Sequence, residues 1–331
     1  MQIFKLPHID YLRWKWPALA VSGLIIVAGL ATIFTRGIPM GIEFAGGTAV
    51  VAAFEQDVSL DQVRDAVNRN FGGETVVHTF GDPGQHQVMI RVPQVGAETG
   101  AALSEVVDKV NAALQSGGLP KFEIAYSEAV GPAVGQQLRS QGFWAAVLAL
   151  GGILLYITFR YQFSFAIGAI IATIHDLLIT LSFLAFFQHD MTLNVIAALL
   201  TIAGYSSNDT IVIFDRVREN LRGMRRDSLR DVLNLSVNQT MSRTIITSGT
   251  ALLSALALYL FGGDVLRSFA FTLLVGLISG TYSTIFIAIA VVSMWRGKGP
   301  LKAAARAPAA APSAPQQPTR KSKPQRKARA S

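Results

Sequence analysis

Six long apolar segments limit how this 331-residue chain can fold more than any other feature. A helix needs about 20 apolar residues to cross the hydrocarbon core of a bilayer. Hydrophobic residues make up 51% of the chain and charged residues only 15%, which is too apolar for a soluble globular domain. We therefore predict an α-helical polytopic membrane protein with six transmembrane helices. The segments are residues 17–35, 142–159, 163–187, 192–215, 243–261 and 266–295.

The distribution of Lys and Arg predicts the orientation of these segments. Basic residues are frequent in residues 1–16, in the 216–242 connection and in the 296–331 tail, whereas residues 38–140 carry twelve Asp/Glu against six Lys/Arg. Because Lys and Arg are retained on the cytoplasmic side, both termini are expected in the cytoplasm and residues 38–140 outside it. The first apolar segment has no small-residue cleavage signal after it, so it is expected to remain as a membrane anchor.

Residues 38–140 have the pattern of a small α+β domain. The predicted order is β-α-β-β-α-β, which is typical of a ferredoxin-like fold. No acid–base or metal-ligand constellation is visible in it, and the chain has no cysteine. The sequence therefore predicts no catalytic residue, no metal and no cofactor. The strands are placed at 48–54, 75–80, 87–92 and 122–126, and the helices at 59–70 and 99–115.

The C-terminal tail explains the net charge of +8, because it holds ten Lys/Arg and no acid from Arg296 onward. Its Ala, Pro, Lys and Arg composition cannot bury a core, so residues 296–331 are expected to be disordered. The basic cluster either binds anionic lipid or is only a solvated tail. Nucleic-acid binding is not required to explain the charge.

Two opposite charges fall at similar depth in the apolar segments. Asp209 lies seven residues before Arg216, about 10 Å from the cytoplasmic edge, and Asn208, directly before it, is a secondary candidate for the same proton path. Arg243 lies where the chain re-enters the membrane. A charge at such depth is expensive unless it is paired, protonated or hydrated. Asp209 and Arg243 are thus candidates for an intramembrane charge pair on a proton path, although Asp209 could also simply extend to the near interface.

Two further polar pairs are candidates with less specific roles. His175 and Asp176 fall near the middle of the third segment, where a histidine suits a proton path and the pair equally suits a structural role in the bundle core. Asp215 and Arg216 lie at the cytoplasmic rim, where they are expected to pair locally or to cap a helix.

Six motifs, in the order in which they occur along the chain, resemble those of the SecF members of the SecD/SecF family. This family belongs to the resistance-nodulation-division superfamily. Together they cover roughly residues 10 to 295, and their order on six apolar segments makes the resemblance specific. The motifs are residues 41–47, 130–135, 172–176, 204–220, 238–244 and 260–263.

This resemblance implies a fold, a set of partners and a function. The chain would form half of a twelve-helix bundle, with SecD as the other half and the source of an opposing carboxylate. The implied partners are SecD, the SecYEG translocon with its small membrane subunits, and unfolded preprotein. The implied function is to use the proton-motive force at late stages of preprotein translocation across the bacterial cytoplasmic (inner) membrane. Asp209 and Arg243 match the family positions implicated in the ion path.

Two other classes of protein are weighed against this one. A proton-driven exporter subunit for small molecules or lipids is the first alternative, but such exporters usually carry both halves and two larger domains in one chain. An intramembrane protease is the second, since residues 204–207 resemble the Gly-x-Ser-x of a rhomboid-type site, with Ser206 as nucleophile and His175 as base. A rhomboid-type site places its histidine after the serine, and here it comes before. The chain is therefore not expected to be an enzyme.

Overall fold

The structure, a computed structural model, describes residues 9–71, 75–81, 83–92, 101–160, 163–224 and 226–296. The predictions for most of the basic tail, including its contact with anionic lipid, lie outside these residues. So does the first half of the N-terminal segment 1–16.

The six predicted membrane spans are confirmed by six helices of sufficient length and apolarity. A short 3₁₀ turn, Tyr11–Trp14, leads into the first of them. The helices are α1 (Lys15–Arg36), α5 (Pro132–Arg160), α6 (Phe163–Phe186), α7 (Leu193–Gly223), α8 (Leu229–Phe261), α9 (Gly263–Ser283) and α10 (Ile289–Arg296). The α9 helix continues through a π-helical turn, Thr284–Ala288, into α10, so that these three pieces together make the sixth span.

The two longest helices extend beyond the predicted apolar segments. The stretch 216–242, expected to connect two spans, consists mostly of the end of α7 and the start of α8. Ser228 caps α8 by accepting a hydrogen bond from the Asp231 backbone N–H at 3.2 Å. Backbone hydrogen bonds of a helix form in polar sequence as well as in apolar sequence, so both helices continue into the polar stretch 216–242. Only about five residues are left for the turn between them.

The α6, α7 and α9 helices form the centre of the bundle, and α1, α5 and α8 flank it with larger exposed surfaces. Two glycines of α9 allow a close approach to α7. Gly276 lies against the side chain of Ile202, and a Cβ added at Gly280 would come within 3.3 Å of the Ser206 Cβ. Small residues at such positions bring membrane helices into contact. This brings the polar side chains of α7 and α9 within hydrogen-bonding distance.

The α+β domain, residues 47–130, has the predicted ferredoxin-like arrangement. Its elements are β1 (Gly47–Phe54), α3 (Leu60–Phe71), β2 (Val76–Phe80), β3 (Gln87–Val92), α4 (Ala101–Ser116) and β4 (Phe122–Val130), and the short helix α2 (Ile42–Ala45) precedes them. The four strands are antiparallel and lie side by side in the order β2-β3-β1-β4, with two helices on one face of the sheet.

Alternation along the strands separates the two faces of the sheet. Val50, Ala52 and Phe54 of β1 point towards α3 and α4, where they form the domain core with the apolar faces of those helices. The intervening residues of β1 and their cross-strand neighbours form the opposite face. That second face, together with the end of the bundle nearest to it, encloses a cleft of about 700 Å³.

Candidate functional site

Asp209 is buried in the bundle with only one of its carboxylate oxygens satisfied. Thr244 of α8 donates a hydrogen bond from Oγ1 to Asp209 Oδ1 at 2.9 Å. The second oxygen, Oδ2, is buried and has no hydrogen-bond partner among the described residues. The residue is 7% exposed. A buried carboxylate with an unsatisfied oxygen is unfavourable as an anion, which makes Asp209 a candidate for protonation.

Arg243 lies next to this site but does not contact the carboxylate. No ion pair joins Arg243 and Asp209 among the residues that the structure describes, although the guanidinium is close enough for a favourable Coulomb interaction. Its side chain is exposed on the outer surface of α8, while the next residue, Thr244, points inward. A direct pair between the two charges therefore stays a prediction. In this single chain the Arg243 side chain points away from the helix bundle.

Asn208 is exposed as well, directly before Asp209 on α7. Successive helix positions point about 100° apart, so Asn208 and Arg243 both flank the Asp209–Thr244 contact on its outer side. Further small or polar residues follow on the same exposed surfaces, namely Thr201 and Gly204 on α7 and Thr247, Thr250 and Ser254 on α8. We call the outward-facing residues of this set, from Thr201 to Asn208 and from Arg243 to Ser254, the outer polar stripe.

Asp176 has the opposite environment, because it is fully buried and fully hydrogen bonded. Ser206 of α7 donates to Oδ2 at 2.5 Å, and Ser283 of α9 donates to the same oxygen at 2.7 Å. Ser279 of α9 donates to Oδ1 at 2.7 Å. His175 Nδ1 lies 3.1 Å from Oδ1. This carboxylate joins the three central helices of the bundle.

His175 packs between this cluster and the first helix. Its ring stacks on Tyr282 with centroids 6.1 Å apart, and its Nε2 is buried with no hydrogen-bond partner among the described residues. Tyr282 in turn donates to the Ala18 carbonyl of α1 at 2.8 Å. His175 makes no hydrogen bond to Ser206 or Ser207 in the structure described. The nucleophile–base contact that a serine protease requires is therefore missing from these residues.

The predicted rim charges, Asp215 and Arg216, lie in the C-terminal third of α7. Arg216 donates from Nε to Gln239 Oε1 at 2.6 Å and pairs with Glu219 at 2.6 Å. Asp215 lies 4.0 Å from Arg218. Asn220 also donates to Gln239, at 2.8 Å. This network ties the two helices together at the end of the bundle opposite the α+β domain.

The structure thus brings His175 and Asp176 together, and places Asp209 and Arg243 on adjacent helices without contact. Sequence analysis did not identify Ser279 and Ser283 as the partners of Asp176. Their spacing of four residues puts both hydroxyls on one face of the helix. This spacing is the sequence pattern from which a shared hydrogen-bond partner could have been predicted. Among the described residues, no group of three or more His, Asp or Glu is arranged to hold a metal ion.

Fold and site together define a class of protein, namely a membrane protein whose described part has six candidate membrane spans, a polar cluster between its central helices and one small α+β domain. The family described as "Protein export membrane protein SecD/SecF, C-terminal" matches residues 109–298, and the "SecD/SecF GG Motif" matches residues 31–58. The chain belongs to the SecF family of protein translocase subunits.

Relatives named protein translocase subunit SecF match most of the chain. The one from Pseudomonas aeruginosa is 43% identical over 291 residues, which cover 88% of this chain and 92% of that protein. The one from Escherichia coli O157:H7 is 39% identical over 285 residues, covering 85% of this chain and 86% of that protein. These matches extend across both the bundle and the α+β domain.

Two solved structures of SecDF resemble the chain. The crystal structure of SecDF, a translocon-associated membrane protein from Thermus thermophilus, has a TM-score of 0.78 and 34% identity. SecDF in a super-membrane-facing form has a TM-score of 0.64 and 33% identity. The matches cover 88% and 89% of this chain, which spans only 39% of the length of each SecDF chain.

Proposed function

We propose that this chain works with a SecD subunit to promote late stages of preprotein translocation across the bacterial cytoplasmic membrane, driven by the proton-motive force. Asp209 is the group that takes up and releases the proton. The chain is an accessory subunit without a catalytic site of its own. Its further partners are the SecYEG translocon with its small membrane subunits, and the unfolded preprotein.

The observation that carries this proposal is the half-satisfied carboxylate of Asp209 beside the outer polar stripe. A guanidinium and an amide that face lipid at this depth are unfavourable, so a second protein is expected to cover Arg243 and Asn208. The SecDF structures contain a further stretch of chain beyond the part matched here. A carboxylate from SecD, placed against Arg243 and Asp209 Oδ2, would compete with Asp209 for the arginine and make its proton exchangeable.

The α+β domain supplies the other half of the proposed mechanism. In its described part no group of His, Asp and Glu is arranged to hold a metal ion, and we assign the domain the role of contacting or holding extended polypeptide that emerges from the translocon. Movement driven by protonation in the bundle would then act on the preprotein through this domain. Chemistry on the substrate is not needed for that role.

The experiment that tests this function uses inverted membrane vesicles that lack the subunit and carry a preprotein arrested late in translocation. Adding the chain together with its SecD partner should complete export faster when a proton-motive force is present than when an uncoupler removes it. A gentle purification of the tagged chain should also recover SecD. Equal completion with and without the chain, under force, would contradict the proposal.

The proposed orientation gives a separate prediction that uses the absence of native cysteine. A cysteine at Asp61, an exposed position on α3, should be labelled by a membrane-impermeant maleimide in spheroplasts. A cysteine at Asp227, exposed between α7 and α8, should be labelled only after lysis. The reverse pattern would place the α+β domain in the cytoplasm and invalidate the proposed function.

A further inference from the structure

The turn between α6 and α7 pairs with the segment that leads into the α+β domain. The Met191 N–H donates to the Pro39 carbonyl at 2.7 Å, and the Gly41 N–H donates to the Met191 carbonyl at 2.8 Å. Met40 and Met191 thus form a parallel bridge. Gly41 is needed for this approach, because a Cβ there would lie 3.0 Å from the Met191 carbonyl oxygen.

A partly buried side chain of the sheet reinforces the same contact. Arg91 of β3 pairs through one terminal nitrogen with Asp190 Oδ2 of the turn, and donates through the other to the Met40 carbonyl at 2.9 Å. The side chains of Arg91 and Asp190 are 14% and 21% exposed. Arg91 therefore holds both sides of the Met40–Met191 bridge at once. We call this bridge and the Arg91–Asp190 pair the joint.

Arg91 is the cation that neutralises Asp190. His78 of β2 also approaches, with its Nε2 4.0 Å from the same Asp190 oxygen. Burial lowers the pKa of His78 from its ordinary value, which favours the uncharged form of the imidazole. Removing Arg91 would take away the ion-pair partner that lies closest to Asp190 among the described contacts.

The position of Arg91 in the sheet makes the joint a firm attachment. Arg91 lies opposite Ala49 of β1 and Val76 of β2, so its backbone is held by strands on both sides. A second contact to the bundle, from Arg267 of α9 to the Gly81 carbonyl at 3.2 Å, lies at the β2–β3 turn. A displacement of Asp190 would therefore move β3, which is paired with a strand on each side, and not a flexible loop.

The two helices that meet at this turn carry the buried carboxylates of the bundle. The α6 helix holds Asp176 and ends at Phe186, and α7 begins at Leu193 and holds Asp209. Asp209 lies sixteen residues along α7 from Leu193, a rise of about 24 Å through continuous helix. A rigid helix transmits a shift at one end to the other.

We propose that the joint is the rigid connection through which a movement of α6 and α7 reaches the α+β domain, so that the helix pair and the domain move as one body. This inference rests on the proposed function, since it names the route by which protonation of Asp209 acts on the domain. The joint stays closed throughout the cycle.

The first test is a charge exchange, measured as the ratio of late-stage export with and without the proton-motive force. Arg91→Glu and Asp190→Arg should each bring this ratio close to one while SecD still co-purifies. The double variant should recover at least half of the wild-type ratio, because the pair is restored with its signs reversed. Exchange of Glu105 and Lys109, an exposed pair on α4, is the matched control and should change nothing.

The second test closes the joint covalently and does not depend on the stability of the single variants. Met40→Cys and Met191→Cys place two thiols on paired backbone segments, which lie about 5 Å apart in a sheet-like bridge. The oxidised double variant should retain the full force-dependent ratio. If oxidation abolishes export and a reductant restores it, the joint has to open, and the inference is overturned.

Asp209→Asn, assayed in parallel, separates this inference from the function on which it rests. If Asp209→Asn keeps the force-dependent ratio, the proposed function has failed. If Asp209→Asn loses the ratio while Arg91→Glu and Asp190→Arg keep it, only the joint is refuted. A double exchange that fails to recover what the single variants lose also refutes it.

Discussion

Replacing Asp209 with asparagine should leave the chain assembled with SecD but remove the force-dependent part of late-stage export. Asparagine has nearly the same shape, and its carbonyl oxygen can still accept the hydrogen bond from Thr244. Its amide nitrogen occupies the place of Oδ2, which has no partner among the described residues, and it cannot titrate. We expect at least a tenfold loss of force-stimulated completion in inverted vesicles, at about normal abundance.

Variants of Arg243 should follow a graded order in the same assay. Arg243→Ala removes the only nearby cation that acts on Asp209 among the described residues, so it should impair both export and assembly. Arg243→Lys should be partly active, since a compact ammonium replaces a planar guanidinium fork. Asp227→Asn, at an exposed position between α7 and α8, is the control and should export normally. If Asp209→Asn keeps full force-dependent export, Asp209 does not carry the proton and is only an acidic residue that the membrane interface tolerates.

Replacing Asp176 with alanine should have the largest effect on stability. The change removes the acceptor for three serine hydroxyls and the neighbour of His175, all of them buried. Each buried donor left unsatisfied costs about 1–3 kcal/mol, so the loss of this shared acceptor should cost several kcal/mol in total. We expect a marked fall in abundance and a lower unfolding temperature of the detergent-purified chain.

Two comparisons sharpen that measurement. Asp176→Asn keeps one acceptor oxygen and should lie between wild type and Asp176→Ala. Ser254→Ala removes an exposed hydroxyl that bonds its own helix at 3.1 Å, so it should change stability by less than about 0.5 kcal/mol. If Asp176→Ala is as stable as Ser254→Ala and only force-dependent export is lost, Asp176 belongs to the proton path and not to the frame of the bundle.

The architecture was predictable from the sequence because its determinants are local. Spans are recognised by the length of apolar runs, and the six-helix prediction is confirmed by the structure. The order of strands and helices along the α+β domain followed from turn residues and from alternation over short windows. The ends of α7 and α8 could not be predicted in this way, because a helix continues past its last apolar residue wherever its backbone hydrogen bonds are still made.

The detail of the candidate site depends on helix rotation, which depth in the membrane does not fix. Arg243 and Asp209 were matched by depth, yet the side chain that reaches Asp209 is Thr244, one position and about 100° further round α8. Likewise, Asp190 and Arg91 are ninety-nine residues apart, and no local pattern connects them. Contacts of this kind are determined by how whole elements pack.

The central claim is that Asp209 carries the proton, and proton flux tests it most directly. The chain and its SecD partner would be reconstituted in liposomes that contain a pH-sensitive dye, and an inward proton gradient would be imposed. Wild type and Asp227→Asn should acidify the interior faster than empty liposomes, and Asp209→Asn, reconstituted in equal amount and orientation, should not. Equal acidification by wild type and Asp209→Asn would contradict the claim.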